Sequence, residues 1–115
     1  MKVSFNGLGE QVATFEAVTD GDNPAAAGKI AVMNGNGKVG STSRAGDLPV
    51  GLILDVRGGY ATVQISGYMK MPCASSISAG YQHVVTDATG VLKLATTGRP
   101  CLVTDAENGV CGIIL

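Results

Sequence analysis

Leu52-Ile53-Leu54-Asp55-Val56-Arg57-Gly58-Gly59-Tyr60-Ala61-Thr62-Val63-Gln64-Ile65 is the stretch that decides the fold. After the Gly-Gly pair, Ala61, Val63 and Ile65 fall on one face of an extended chain, and Tyr60, Thr62 and Gln64 on the other. A period of two places successive side chains on opposite sides of a strand, so this run predicts a half-buried strand. Glycines tolerate the positive φ that tight hairpin turns require, so Gly58-Gly59 joins it to the apolar run before it.

Moving outward, the same signals recur. Ile30-Ala31-Val32-Met33 ends in Asn34-Gly35-Asn36-Gly37, and a further hairpin is predicted from 83–86 through Asp87-Ala88-Thr89-Gly90 into Val91-Leu92-Lys93-Leu94. Cys111-Gly112-Ile113-Ile114-Leu115 reads as a last strand docked in a sheet. Helical spacing is not sustained for three turns anywhere without a Gly or Pro, and the best candidate, 74–79, has room for one turn. The expectation is therefore an all-β fold, mainly strand with at most one short helix, built as a compact sandwich- or barrel-like body.

An internal echo adds to this. Ala27-Gly28, a strand, an Asn/Gly turn and Lys38-Val39 lead to Pro49-Val50-Gly51-Leu52-Ile53-Leu54. Ala79-Gly80, a strand, an Asp/Gly turn and Val91-Leu92 lead, after a longer insert, to Cys111-Gly112-Ile113-Ile114-Leu115. The order predicts pseudo-repeated hairpin units related by a pseudo-twofold, linked by the hairpin at 52–65. Residues 1–24 differ in character, broken by Gly7, Gly9 and the Asp20-Gly21-Asp22-Asn23-Pro24 loop. They read as an extended N-terminal arm or edge strand, suited to adding main-chain hydrogen bonds to a neighbour, with residues 25–115 as a single β domain.

Composition narrows the function classes. Only 15% of the 115 residues are charged, against roughly a quarter in ordinary soluble domains. Either part of the surface is covered by partner subunits, or a Gly-, Ser- and Thr-rich exterior is neutral but wet. The net charge is −1, with the basic residues scattered and not clustered, which argues against nucleic acid. No run approaches the roughly 20 apolar residues of a membrane span, and the N-terminus lacks the apolar core of a signal peptide, so synthesis and folding in the cytoplasm are expected. Cys73, Cys101 and Cys111 are widely spaced, without a C-x-x-C, and read as small buried apolar residues in a reduced compartment.

Several motifs suggest chemistry and fail on context. Gly35-x-Gly37-x-x-Gly40 matches the dinucleotide fingerprint, but the residues after it (41–49, ending in Pro49) cannot hold the helix whose amides would face a pyrophosphate. Asp20-x-Asp22 opens like a calcium loop whose twelfth position is Ala31, not Glu. His83 is the single histidine and is expected to be structural, while Asp87, Asp105 and Glu107 fall at turns. No acid/base pair is visible, and neither a catalytic apparatus, a cofactor nor a metal is expected. Met69-Lys70-Met71 resembles the M-K-M turn of biotinyl carrier domains, but over those residues alone: Gly67-Tyr68 stands where that family has Glu-Ala, and Pro72 where an acidic residue is usual. A biotinyl- or lipoyl-like carrier, or a small-molecule binding β domain using Lys70, is the alternative reading.

Across most of its length the chain resembles the head decoration, or capsid cement, proteins of tailed bacteriophages. The resemblance is carried by Phe5-Asn6-Gly7-Leu8-Gly9-Glu10-Gln11-Val12, Ala27-Gly28-Lys29-Ile30, the run from Val50 to Gly67, Ala79-Gly80 and Val110-Cys111-Gly112-Ile113-Ile114-Leu115. It implies a compact, β-tulip-like body made in the host cytoplasm and carried on the outer surface of the virion. It further implies binding to the major capsid protein through a flexible N-terminal arm, with homotrimers on the shell. The arm residues it points to are Lys2, Val3, Phe5, Leu8, Val12 and Phe15, apolar or basic side chains on an extended segment that would need a partner groove, or else would pack on their own domain.

Overall fold

In the computed structural model the described residues are 10–21, 23–41 and 45–115. They form ten strands and no helix: β1 (Gln11–Ala17), β2 (Ile30–Met33), β3 (Lys38–Ser41), β4 (Gly51–Arg57), β5 (Tyr60–Ser66), β6 (Tyr68–Pro72), β7 (Gly80–Thr86), β8 (Leu92–Leu94), β9 (Arg99–Glu107) and β10 (Val110–Ile114). The segment 74–79 makes a single turn, with the Ile77 amide 3.2 Å from the Ala74 carbonyl.

The strands fall into two units of five. The first closes into a barrel in the order β1-β3-β2-β4-β5, and the second is a sheet in the order β6-β10-β9-β7-β8. The second sheet is nearly closed as well, because Cys73, just past β6, makes a parallel bridge to Leu92 of β8. With that bridge the two units share one topology: first strand parallel to third, and third to second, second to fourth, fourth to fifth and fifth to first all antiparallel.

Equivalence extends to single hydrogen bonds. The Ala17 amide donates to Gly59 O at 2.9 Å and the Cys73 amide to Gly109 O at 2.9 Å. The Val18 amide donates to Val39 O at 2.9 Å and the Ala74 amide to Leu92 O at 2.8 Å. Both β4–β5 and β9–β10 turn through two positive-φ residues, Gly58-Gly59 (60° and 83°) and Asn108-Gly109 (55° and 78°), the geometry that matches strand twist. Each hairpin also carries a bulge at the same place: Leu54 is skipped between Ile53 and Asp55, and Thr104 between Val103 and Asp105.

The internal echo therefore reflects a duplication of the whole five-strand unit. The hairpin at 52–65 is not a link between copies. It is the β4–β5 pair of the first copy, and its counterpart is β9–β10. The segment read as an arm or edge strand also differs: β1 is a barrel stave, paired with β5 on one side and β3 on the other. A closed barrel has no edge, so Gln11–Ala17 belongs to the body.

Each unit has its own core. Ala17, Ala31, Val39, Ile53, Ala61 and Val63 fill the first. Met69, Met71, Cys73, Ile77, Val84, Leu92, Cys101, Val103, Cys111 and Ile113 fill the second, joined by Ile30 of the first unit. The units are tied by main-chain bonds between Thr86 and residues 46–47, and by Arg99, whose guanidinium donates to Pro49 O at 2.8 Å and Val50 O at 2.9 Å.

Candidate functional site

Side chains with catalytic potential are dispersed by the fold. Lys70 lies exposed in the middle of β6, opposite Gly112 of β10, not at the tip of a turn. His83 is exposed on β7 opposite Pro100. Gly35 and Gly37 sit in the β2–β3 turn, and Gly40 continues as β3 where a dinucleotide site would start a helix. A Cβ at Gly40 would come within 2.6 Å of Asn23 O, so close packing explains that glycine. Asp20 lies in a bend, and Asp22 is outside the described residues. Among the described residues, no group of His, Cys, Asp and Glu side chains has the clustering of a metal site.

Asp87 is an organiser of its turn. Its Oδ1 accepts from the Thr89 amide at 2.8 Å, the Thr89 hydroxyl at 2.7 Å and the Val91 amide at 3.2 Å. These donors, the Thr89 hydroxyl foremost, hold its carboxyl below the ordinary value. All three cysteines are free thiols and buried. Loss of hydration raises Cys101 and pushes Cys111 up to about 12, the latter helped by the adjoining Cys73 thiol. Such thiols are protonated packing groups at neutral pH, not nucleophiles.

What the outside offers is apolar contact area. Among the described residues Val12, Met33, Leu48, Leu54, Tyr60, Tyr81, Leu94 and Val110 are exposed large hydrophobics, from 41% at Leu94 to 86% at Tyr81. Met33 and Leu48 share a shallow groove of about 490 Å³ with Val32, Pro49 and Val50, also lined by Asp47 and by Arg99, whose guanidinium donates to the Pro49 and Val50 carbonyls. The groove was not foreseen from sequence, because its walls come from β2, the 46–50 segment and β9, which only the packing of the units brings together.

Of the residues assigned to an arm, Lys2, Val3, Phe5 and Leu8 lie outside the described residues. Val12 is on the outer face of β1, 54% exposed and free for a partner. Phe15 is a correction: it faces inward and packs against the first core with Val56 and Ile65. Strand alternation separates the two, since Val12 and Phe15 differ by an odd number of positions and must lie on opposite faces.

Neither a protein-family model nor a curated protein matches this sequence.

Proposed function

We propose that this chain is a decoration, or cement, protein of a tailed-bacteriophage head. In this reading it binds the outer surface of the assembled shell, contacts the major capsid protein and stabilises the head by bridging capsid subunits. The observation that carries the reading is the exposure of eight large hydrophobics among the described residues of a chain only 15% charged, two of them, Met33 and Leu48, lining one groove. Such a surface gains by exclusion of water against another protein and offers little to a small polar ligand. The helix-free paired-barrel body supports it too, since a rigid body transmits load between the sites it bridges. Modest affinity per copy suffices, because copies repeated on a shell act together. The carrier reading through Lys70 draws no support from its mid-strand placement.

The test is co-sedimentation with expanded shells of the phage that carries the gene. Binding to assembled shells and not to unassembled capsid subunits is expected, and equal binding to both would refute it. Because β1 is a barrel stave, the arm is tested by removing residues 1–9 alone. Weaker shell binding by that shortened chain supports an arm contact, and unchanged binding removes it. Replacing Met33 and Leu48 together with Glu should weaken binding about tenfold or more, roughly 1.4 kcal/mol, with little change in folding stability.

A further inference from the structure

The duplication leaves one surface in two different states. On the outer face of the first unit, Val12, Gln64, Leu52 and Ile30 follow one another across β1, β5, β4 and β2 as cross-strand neighbours. Part of this row is the first unit's docking surface for the second. Ile30, 1% exposed, and Leu52 pack into the core group that holds Met69 and Met71. Gln64 is 6% exposed, and its amide donates to Ser66 O at 3.1 Å and to Tyr68 O at 2.9 Å, the latter in the second unit.

The matching row of the second unit is Tyr68, Ile114, Leu102 and Tyr81, across β6, β10, β9 and β7. Val12 corresponds to Tyr68, Gln64 to Ile114 and Leu52 to Leu102, with the last pairing displaced by one repeat of the pleat so that Tyr81 takes its end. Like its counterpart this row contains no charge, but it has an aromatic ring at each end, with Tyr68, Ile114 and Leu102 partly buried. Tyr81 is 86% exposed, so no described part of the chain covers that end.

The surface complementary to such a row is also duplicated. Ile30 and Leu52 close the second core where Met69 and Met71 lie, and these are 3% and 0% exposed. Their equivalents in the first unit, Ala13 and Phe15, point inward in the same way but are only partly buried. One copy therefore presents, on its second unit, a row exposed at its Tyr81 end and, on its first, the partly buried Ala13 and Phe15 positions.

We propose that a second copy of this chain docks on the Tyr68–Ile114–Leu102–Tyr81 row through the Ala13–Phe15 side of its first unit, repeating between chains the contact made within one. The contact is heterologous, head to tail, so it closes into a ring or extends as a string according to the rotation per step. Tyrosines at the ends of an apolar row are the residues that dominate binding in protein interfaces. A net charge of −1 per copy adds little repulsion. The inference rests on the duplication and stands apart from shell binding.

Sedimentation velocity of the full chain across a concentration series tests it. The expected result is a species whose mass is a multiple of 11.6 kDa, with the dissociation constant raised about tenfold or more in Tyr81→Asp and in Tyr81→Ser. Both variants should keep the circular dichroism of the parent, since the side chain is outside the fold. Direction is read by mixing Tyr81→Cys chains with Ala13→Cys chains and adding a short bis-maleimide. Cross-linked pairs should join one variant to the other. A monomer at every concentration, an oligomer indifferent to both Tyr81 variants, or cross-links confined to Tyr81→Cys pairs would overturn the proposal. So would loss of the oligomer on removal of residues 1–9 with Tyr81 intact, which would assign the row to that segment.

Discussion

Cys111 carries a thiol in a place that suppresses thiol chemistry. Burial, then the adjoining Cys73 thiol, moves its pKa from 9.0 to about 12, and Cys101 is raised by burial as well. A thiol reagent at pH 8 should leave the native chain unmodified, and all three cysteines should react in denaturant; rapid labelling of the native protein would contradict this. The linkage has a definite sign. A raised thiol pKa means that the contribution of Cys111 is full below 9.0 and is lost as pH rises toward 12, so Cys111→Ala should flatten the alkaline limb of stability against pH. Asp87 works in the opposite sense. Its folded pKa lies below 3.8, so its contribution is present above that value and disappears as pH falls through the lower one. Asp87→Ala should lower the melting temperature at neutral pH and lose that difference in strong acid. The buried role of the cysteines was legible in sequence, from their odd number, wide spacing and lack of a C-x-x-C. The fate of Phe15 was not, because a strand buried on one face and an arm waiting for a groove have the same composition.

At the scale of elements, the bulges at Leu54 and Thr104 set which side chains enter each core. Ile53 and Val56 both reach the first core, and Val103 and Ala106 both reach the second, because one residue in each strand is skipped between them. Deleting Leu54 leaves Ile53 and Val56 two positions apart and both still opposite Val63 and Ala61, so the first core should persist and stability by urea should change by no more than about 1 kcal/mol. A loss of about 2–5 kcal/mol would show that the bulge itself is needed to seat the strand. The turns give a milder test. Gly58→Asn copies Asn108 and should change stability by less than about 0.5 kcal/mol, whereas Gly59→Val forces a branched side chain to positive φ and should cost about 1–2 kcal/mol. The β4–β5 and β7–β8 hairpins were legible from alternation and turn chemistry. Strands β6 and β9 were not: Pro72 and Pro100 argue against strand, and Met69-Lys70-Met71 invites a motif reading. The two prolines survive because Pro72 ends its strand and Pro100 lies exposed on β9.

For the whole molecule, duplication explains the architecture, and the cores explain why sequence showed it only as an echo. At matching inward positions Ala61 stands against Cys111, Ala13 against Met69, Phe15 against Met71 and Val39 against Leu92. Three of these four positions are larger in the second unit and one is smaller, so the two interiors are filled by different residues and side-chain identity disappears. What stays constant is backbone: the parallel bridge, the paired turns and the skipped residues. A closed barrel and a nearly closed five-stranded sheet make one body, and the proposed work is to hold a shell together. Thermal disruption of expanded, empty shells, followed by light scattering with and without saturating chain, measures this most directly. The account predicts a higher disruption temperature that levels off once the sites are filled; shells that bind the chain and come apart at an unchanged temperature would contradict it.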